Sequence, residues 1–228
     1  MKTSDVMDKQ KPISLHQTMI LFCAFSCLLS VTRVAFTGNP TYLFLIWNLF
    51  LAFIPYVISR VILLIDITRT VRVLLLGVWL LFVPNSFYLL TDLFHLPRFA
   101  DVPAWFDLLL LLSFGINGML LGVISLRKIE IVLEKLRGRA LPLMFVFVVM
   151  FLNAFGIYLG RYLRFNSWDI VTRPFALFEE LYLIIANPFD NLMEWGMVGS
   201  YAVFMTLIYF IIKKLGESLF SVNNKINL

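Results

Sequence analysis

Charge is scarce in this chain, and the scarcity decides its class. Only 14% of the 228 residues are charged, against about a quarter in an ordinary soluble domain. Cysteine is rarer still. The two present, Cys23 and Cys27, both fall inside the first apolar run, where they read as small apolar residues and not as a disulfide framework or a metal pair. The two histidines, His16 and His95, flank apolar runs instead of sitting within them, which excludes a bis-histidine haem. There is no Gly-rich phosphate loop, no His-Glu-x-x-His and no Gly-x-Ser-x-Gly, so nothing announces an ATP-using domain, a zinc protease or an elbow-type hydrolase. No ionisable residue lies near the centre of an apolar run. This argues against ion-coupled transport and proton relays, which place one there. Neither a cofactor nor a metal is expected.

Apolar side chain is abundant. Hydrophobic residues make up 61% of the chain, 23 of them Phe, and the mean hydropathy is +0.89. A soluble domain of this length has too little interior to bury that much, so the composition describes a polytopic membrane protein. Six runs are long enough to span a hydrocarbon core of about 30 Å: 17–36, 42–65, 71–92, 105–126, 141–161 and 192–212. The expected fold is an all-α bundle of six transmembrane helices, a single domain over 17–213, with tails at 1–16 and 214–228. The first run is too long for a secretory signal and lacks a small-residue cleavage site, so it reads as an uncleaved helix.

Sorting the charges by side gives a direction. The tails and the second-to-third and fourth-to-fifth connections together hold 14 of the 19 Lys and Arg. The other side holds Arg33, Arg98, Arg161, Arg164 and Arg173 and no Lys. The positive-inside rule then places both termini in the cytoplasm. The basic excess calls for anionic lipid as a partner and not for nucleic acid. The one long outer connection, 162–191, carries apolar residues at helical spacing from Pro174 to Ile185, with Glu179 and Glu180 opposite. It predicts a helix over 174–186, lying in the outer interface or, alternatively, re-entrant. Trp105, Trp168 and Trp195 fall at the same boundary, where Trp105 and Trp195 read as an aromatic belt. Gly118-x-x-x-Gly122 and Gly156-x-x-x-Gly160 mark close helix packing, and Pro55 and Pro84 are expected to kink their helices.

The polar residues inside the runs are few. Asn48, Asn85, Asn117 and Asn153 occur one per helix on four consecutive helices, either as helix–helix hydrogen-bonding groups or as a vestibule. Asn85, Tyr88 and Asp92 are spaced 3 and 4 apart and so share a stripe. Asp92 and His95 are i,i+3, a spacing that allows a carboxylate to orient an imidazole for base catalysis. Tyr158, Arg161 and Arg164 share a face of the fifth helix, followed by Asn166 and Asp169. Guanidinium suits bidentate contact with carboxylate or phosphate, so these arginines read as anion contacts or as ion-pair partners of Asp92 or Asp169.

Three segments resemble the bacterial membrane family catalogued as domain of unknown function 1361. They are Trp47-Asn48-Leu49-Phe50-Leu51-Ala52 with Pro55; Trp79-Leu80-Leu81-Phe82 with Pro84-Asn85 and Tyr88 to Asp92; and Gly156-Ile157-Tyr158-Leu159-Gly160-Arg161 with Arg164 and Asn166-Ser167-Trp168-Asp169. The resemblance covers about residues 40–187 and implies a bacterial cell-membrane protein without an established activity. The expected working surface is an outward-facing polar pocket where the third and fifth helix ends meet 162–191. Arg161 and Arg164 would contact an anionic headgroup, ligand or envelope protein, with Asn85, Tyr88, Asp92, Tyr158, Asn166 and Asp169 around them. An uncoupled small-molecule conduit is a second expectation. A third is an envelope enzyme acting on a lipid-linked substrate, with Asp92 and His95 as its base pair. The sequence leans away from an enzyme.

Overall fold

A computed structural model describes residues 13–98, 102–138, 140–141 and 143–226. Most of the N-terminal tail, together with Asp101 and Arg139, lies outside them, as does the side chain of Arg98. Among the described residues there are eight α-helices and no strand: α1 (Leu15–Thr37), α2 (Phe44–Leu64), α3 (Arg69–Thr91), α4 (Ala104–Arg137), α5 (Leu143–Arg161), α6 (Asp169–Thr172), α7 (Pro174–Ala186) and α8 (Leu192–Ile226). Six of them, α1 to α5 and α8, are long and apolar enough to cross a membrane. The protein is an all-α, multi-pass membrane bundle. With an even number of spans the start of α1 and the end of α8 lie at one end, called the termini end below, and the opposite end is called the far end.

Local chemistry sets the helix limits. Ser14 and Gln17 form a reciprocal capping box at the start of α1, and Gly38, at φ 66°, closes it in the left-handed conformation that glycine adopts without strain. Two helices run past their expected spans. α4 reaches Arg137 and α8 reaches Ile226, so the segment after 213, expected as a tail, continues the last helix. The extensions are held by a charged cluster at the termini end. Buried Glu130 accepts from Lys213 Nζ at 2.7 Å and Arg127 Nη1 at 2.5 Å, and from the Tyr209 hydroxyl. These contacts tie α4 to α8.

α4 is the hub. Of its most apolar window 61% is buried inside the protein, against 22% for peripheral α1. Helix association in lipid gains little from the hydrophobic effect and depends on close packing and polar contacts. Both glycine motifs act in that way, on opposite sides of α3. A β-carbon at Gly118 would collide with the Ser86 carbonyl, and one at Gly122 would come within 2.7 Å of the Phe87 ring. A β-carbon at Gly156 would lie 2.7 Å from Pro84 Cγ. Polar side chains reinforce the contacts. Trp79 Nε1 donates to Ser125 Oγ at 2.7 Å, and Ser125 donates to the Pro55 carbonyl at 2.9 Å, joining α3, α4 and α2. Asn117 Nδ2 on α4 donates to Ser26 Oγ on α1 at 2.8 Å. Arg33 on α1 grips Asp107 on α4 at 2.7 Å, both buried.

Candidate functional site

α2 and α5 both pack on α3, yet among the described residues they do not pack on each other. The gap between them is a groove of about 460 Å³. Its floor is α3, from Gly77 to Tyr88, a rise of about 16 Å at 1.5 Å per residue. Trp47, Asn48 and Leu51 of α2 form one wall, and Leu152, Phe155, Gly156, Leu159 and Gly160 of α5 the other. The link after α5 covers the far end with Phe165, Asn166, Ser167 and Ile170, joined by Leu177 of α7. Glycine shapes this space directly, because Gly156 and Gly160 let α5 approach Pro84 and Tyr88. The lining is polarised along its length. Gly77, Leu80, Leu81 and Leu152 lie toward the middle, while Asn48, Asn85, Tyr88, Asn166 and Ser167 gather at the far end. Exposure of Trp47, Leu80 and Leu152 shows that the groove opens sideways, where lipid would lie.

A bracket of charge spans the far end. Asp92 is fully buried. Arg161 Nη2 donates to its Oδ1 at 2.7 Å and to Thr91 Oγ1 at 2.8 Å, and Asn48 Nδ2 donates to Oδ2 at 3.2 Å. The guanidinium also stacks over the Tyr88 ring, 4.5 Å from its centroid. One carboxylate thus joins α2, α3 and α5 above the groove. The covering link is anchored separately. Ser167 Oγ donates to the Leu81 carbonyl at 3.2 Å, and Asn85 Nδ2 donates to Ser167 Oγ at 2.9 Å and to the Phe82 carbonyl at 3.0 Å. Within the link Asp169 accepts from Arg173 Nη2 at 2.9 Å, from the Asn166 backbone N–H at 2.6 Å and from Thr172 Oγ1 at 2.9 Å. The Arg173 guanidinium, helped by that backbone N–H, holds the Asp169 carboxyl far below its ordinary value of 3.8.

The eight residues expected at the binding pocket fall into four groups. Asn85, Tyr88 and Asn166 line the groove. Asp92, Arg161 and Asp169 are engaged in ion pairs around it. Tyr158 is buried on another face of α5, stacked between Phe155 and Tyr162. Arg164 is exposed, sits at φ 60° and makes no ion pair among the described residues. His95 Nδ1 lies 3.9 Å from Asp92 Oδ1 and 3.1 Å from the Asp92 carbonyl. The carboxylate is therefore beyond hydrogen-bond reach of the imidazole and is already engaged by Arg161 and Asn48. Trp195 packs face to face with Phe155 at 5.6 Å. The four asparagines do not converge: Asn48 and Asn85 line the groove, Asn117 binds α1, and Asn153 is buried beside Met150. Trp47, Ser167 and most leucines of the groove entered the sequence reading only through the family resemblance and not as site residues, since no polar pattern marks an opening between two apolar helices.

Among the described residues no group of three or more His, Cys, Asp or Glu is placed to hold a metal ion. No curated protein and no solved structure matches this chain. A family model, described as protein of unknown function (DUF1361), matches residues 47–212, which take in every helix of the groove and the link that covers it, and the chain belongs to that family.

Proposed function

We propose that this protein binds a membrane amphiphile, a lipid or lipid-linked molecule, in the groove between α2 and α5, and that the far end faces outward from a bacterial cell membrane. One observation carries the reading: a cavity of about 460 Å³ with mainly apolar walls, whose amides and hydroxyls gather toward its far end, opens sideways between two helices. Binding sites of this kind combine apolar walls with a few placed polar groups. The tail would lie along Leu80, Leu81 and Leu152, and the polar end would meet Asn48, Asn85, Tyr88, Asn166 and Ser167. Arg161 and Asp92 hold the walls and neutralise each other. Arg164, on the link that leads into the cover, is the cation available to an anionic headgroup.

Gly77 provides the test. A side chain added there meets nothing within 4 Å, so Gly77→Trp fills the groove without a backbone clash. Protein purified in mild detergent is extracted, and its bound lipids are quantified by mass spectrometry. The native chain retains an amphiphile, and G77W loses it while keeping its melting temperature. Equal retention by both overturns the reading.

A further inference from the structure

We infer a second binding site at the termini end of the bundle, specific for a phosphate group, built by His16 of α1, Tyr56 of α2 and Lys128 of α4, with Arg60 of α2 beside them. Tyr56 is its fixed centre. The ring is 2% exposed. His16 stacks against it with the rings 12° from parallel, and His16 Nδ1 and the Tyr56 hydroxyl share a hydrogen bond of 3.0 Å. Lys128 Nζ lies 3.6 Å from the ring centroid. Arg60 is close enough to act electrostatically on both His16 and Lys128, and no carboxylate among the described residues acts on either.

That arrangement is unlike the clusters built on Asp92, Asp107, Glu130, Asp169 and Glu217. Arg33, Arg127, Arg161, Arg173, Lys213 and Lys214 each have a carboxylate partner within 4 Å. Lys128 and Arg60 are half-buried like charges side by side, an unfavourable placement unless an anion offsets it. The ring gives Lys128 a cation–π contact, which orients the ammonium but leaves its charge uncompensated. A guanidinium and an ammonium beside a phenol and an imidazole form a donor set for a tetrahedral phosphate oxyanion. The site lies toward the termini end of three membrane-spanning helices, with His16 in the first turn of α1 and Arg60 one turn from the end of α2, the level at which a phospholipid presents its phosphate. Ile20 of α1 and Val57 of α2 are exposed on the same helices, apolar surface on which acyl chains can lie. The shared chemistry is the phosphate group, whose source is an anionic phospholipid or a soluble phosphate compound.

The test uses the full chain in nanodiscs of phosphatidylcholine containing a minority of phosphatidylglycerol, with lipid retention read by native mass spectrometry. It is run in the Gly77→Trp background, so that the α2–α5 groove does not contribute. The expected result is one retained phosphatidylglycerol, lost at least tenfold in Arg60→Gln and Lys128→Gln, kept in Lys128→Arg, and kept in Arg69→Gln, which removes a charge elsewhere at the same end. Folding of each variant is followed by its melting temperature. A second arm titrates inorganic phosphate into detergent-solubilised protein. Saturable binding there that R60Q abolishes, without retained lipid, assigns the site to a soluble phosphate compound. Retention of phosphatidylglycerol unchanged in both R60Q and K128Q, or absence of both lipid and phosphate binding in the native chain, overturns the proposal.

Discussion

Arg161 and Asp92 are 69 residues apart in sequence and 2.7 Å apart in space, and their pairing gives the bundle its asymmetry. Below this contact α2 and α5 face each other across the groove without packing together. At it they are drawn to one carboxylate, through Asn48 on one side and Arg161 on the other. The groove is the consequence: two walls fixed together at the far end, separated by the width of α3 beneath. In the proposed orientation Arg161 runs against the positive-inside tendency, and its pairing with Asp92 accounts for its presence.

Breaking the bracket is expected to be costly. Arg161→Ala leaves Asp92 buried without its counter-charge, a change that costs about 3–5 kcal/mol when one partner of a buried pair is removed. Asp92→Asn keeps the size and can still accept a hydrogen bond, but it strands the guanidinium, so it also destabilises. The double variant Arg161→Met/Asp92→Asn removes both charges and is expected to recover much of the loss. Thermal unfolding in detergent measures all three. Additive losses in the double variant would show that the two side chains act independently.

The glycine contacts make a sharper prediction. Gly118→Ala sets a methyl group against the Ser86 carbonyl and the Leu89 side chain. The carbonyl belongs to the backbone of α3 and cannot rotate away, so α3 and α4 must separate. Overpacking of this kind costs about 1–3 kcal/mol. Gly199→Ala, where nothing lies within 4 Å, is the control on α8 and is expected to leave the melting temperature unchanged or slightly raised.

The spans were readable in the sequence because length and hydropathy are local quantities. The 174–186 helix was readable too, from Pro174, the apolar spacing and Asn187-Pro188, and it forms as α7 over Pro174–Ala186. The glycine pairs announced close packing, although which helix they meet is a tertiary fact. Arg161 was readable as either an anion contact or an ion-pair partner of Asp92, and only the fold brings the two together. Glu130 shows the limit best. In sequence it is one acid in a basic connection, whereas in the fold it is a buried acceptor for three donors, two of them from α8, 79 and 83 residues away. The apolar walls of the groove left no sequence signal, because they belong to two helices that fail to touch.

The link over the groove should respond to pH in one direction. Asp169 is held below its ordinary carboxyl value of 3.8 by Arg173 and the Asn166 N–H. A group with a lowered folded value stabilises fully above its unfolded value, and the contribution disappears as pH falls through the folded one. Order in residues 166–173 is therefore expected to be constant from neutral pH down to about 4 and to weaken only in stronger acid. Asp169→Asn should release the link at every pH. Limited proteolysis with an acid-active protease reads this, by the rate of cleavage between Ser167 and Arg173. Loosening that begins above pH 5 in the native chain contradicts the assignment.

The direction of the whole bundle rests on charge, and charge makes it testable. The termini end carries most of the Lys and Arg, and part of that charge is neutralised internally by Glu130, which takes up Arg127 and Lys213. Discounting those two, Arg60, Arg69, Arg72, Lys128 and Lys135 still lie toward the same end, from which the positive-inside rule predicts that this end is cytoplasmic. Single cysteines at Asp190 and Ser218, both exposed, report on opposite ends once Cys23 and Cys27 are replaced by Ala. A membrane-impermeant maleimide applied to intact cells is expected to label Asp190→Cys at once and Ser218→Cys only after permeabilisation. The reverse pattern would turn the groove's polar end toward the cytoplasm, and a headgroup bound there would have to come from the inner leaflet.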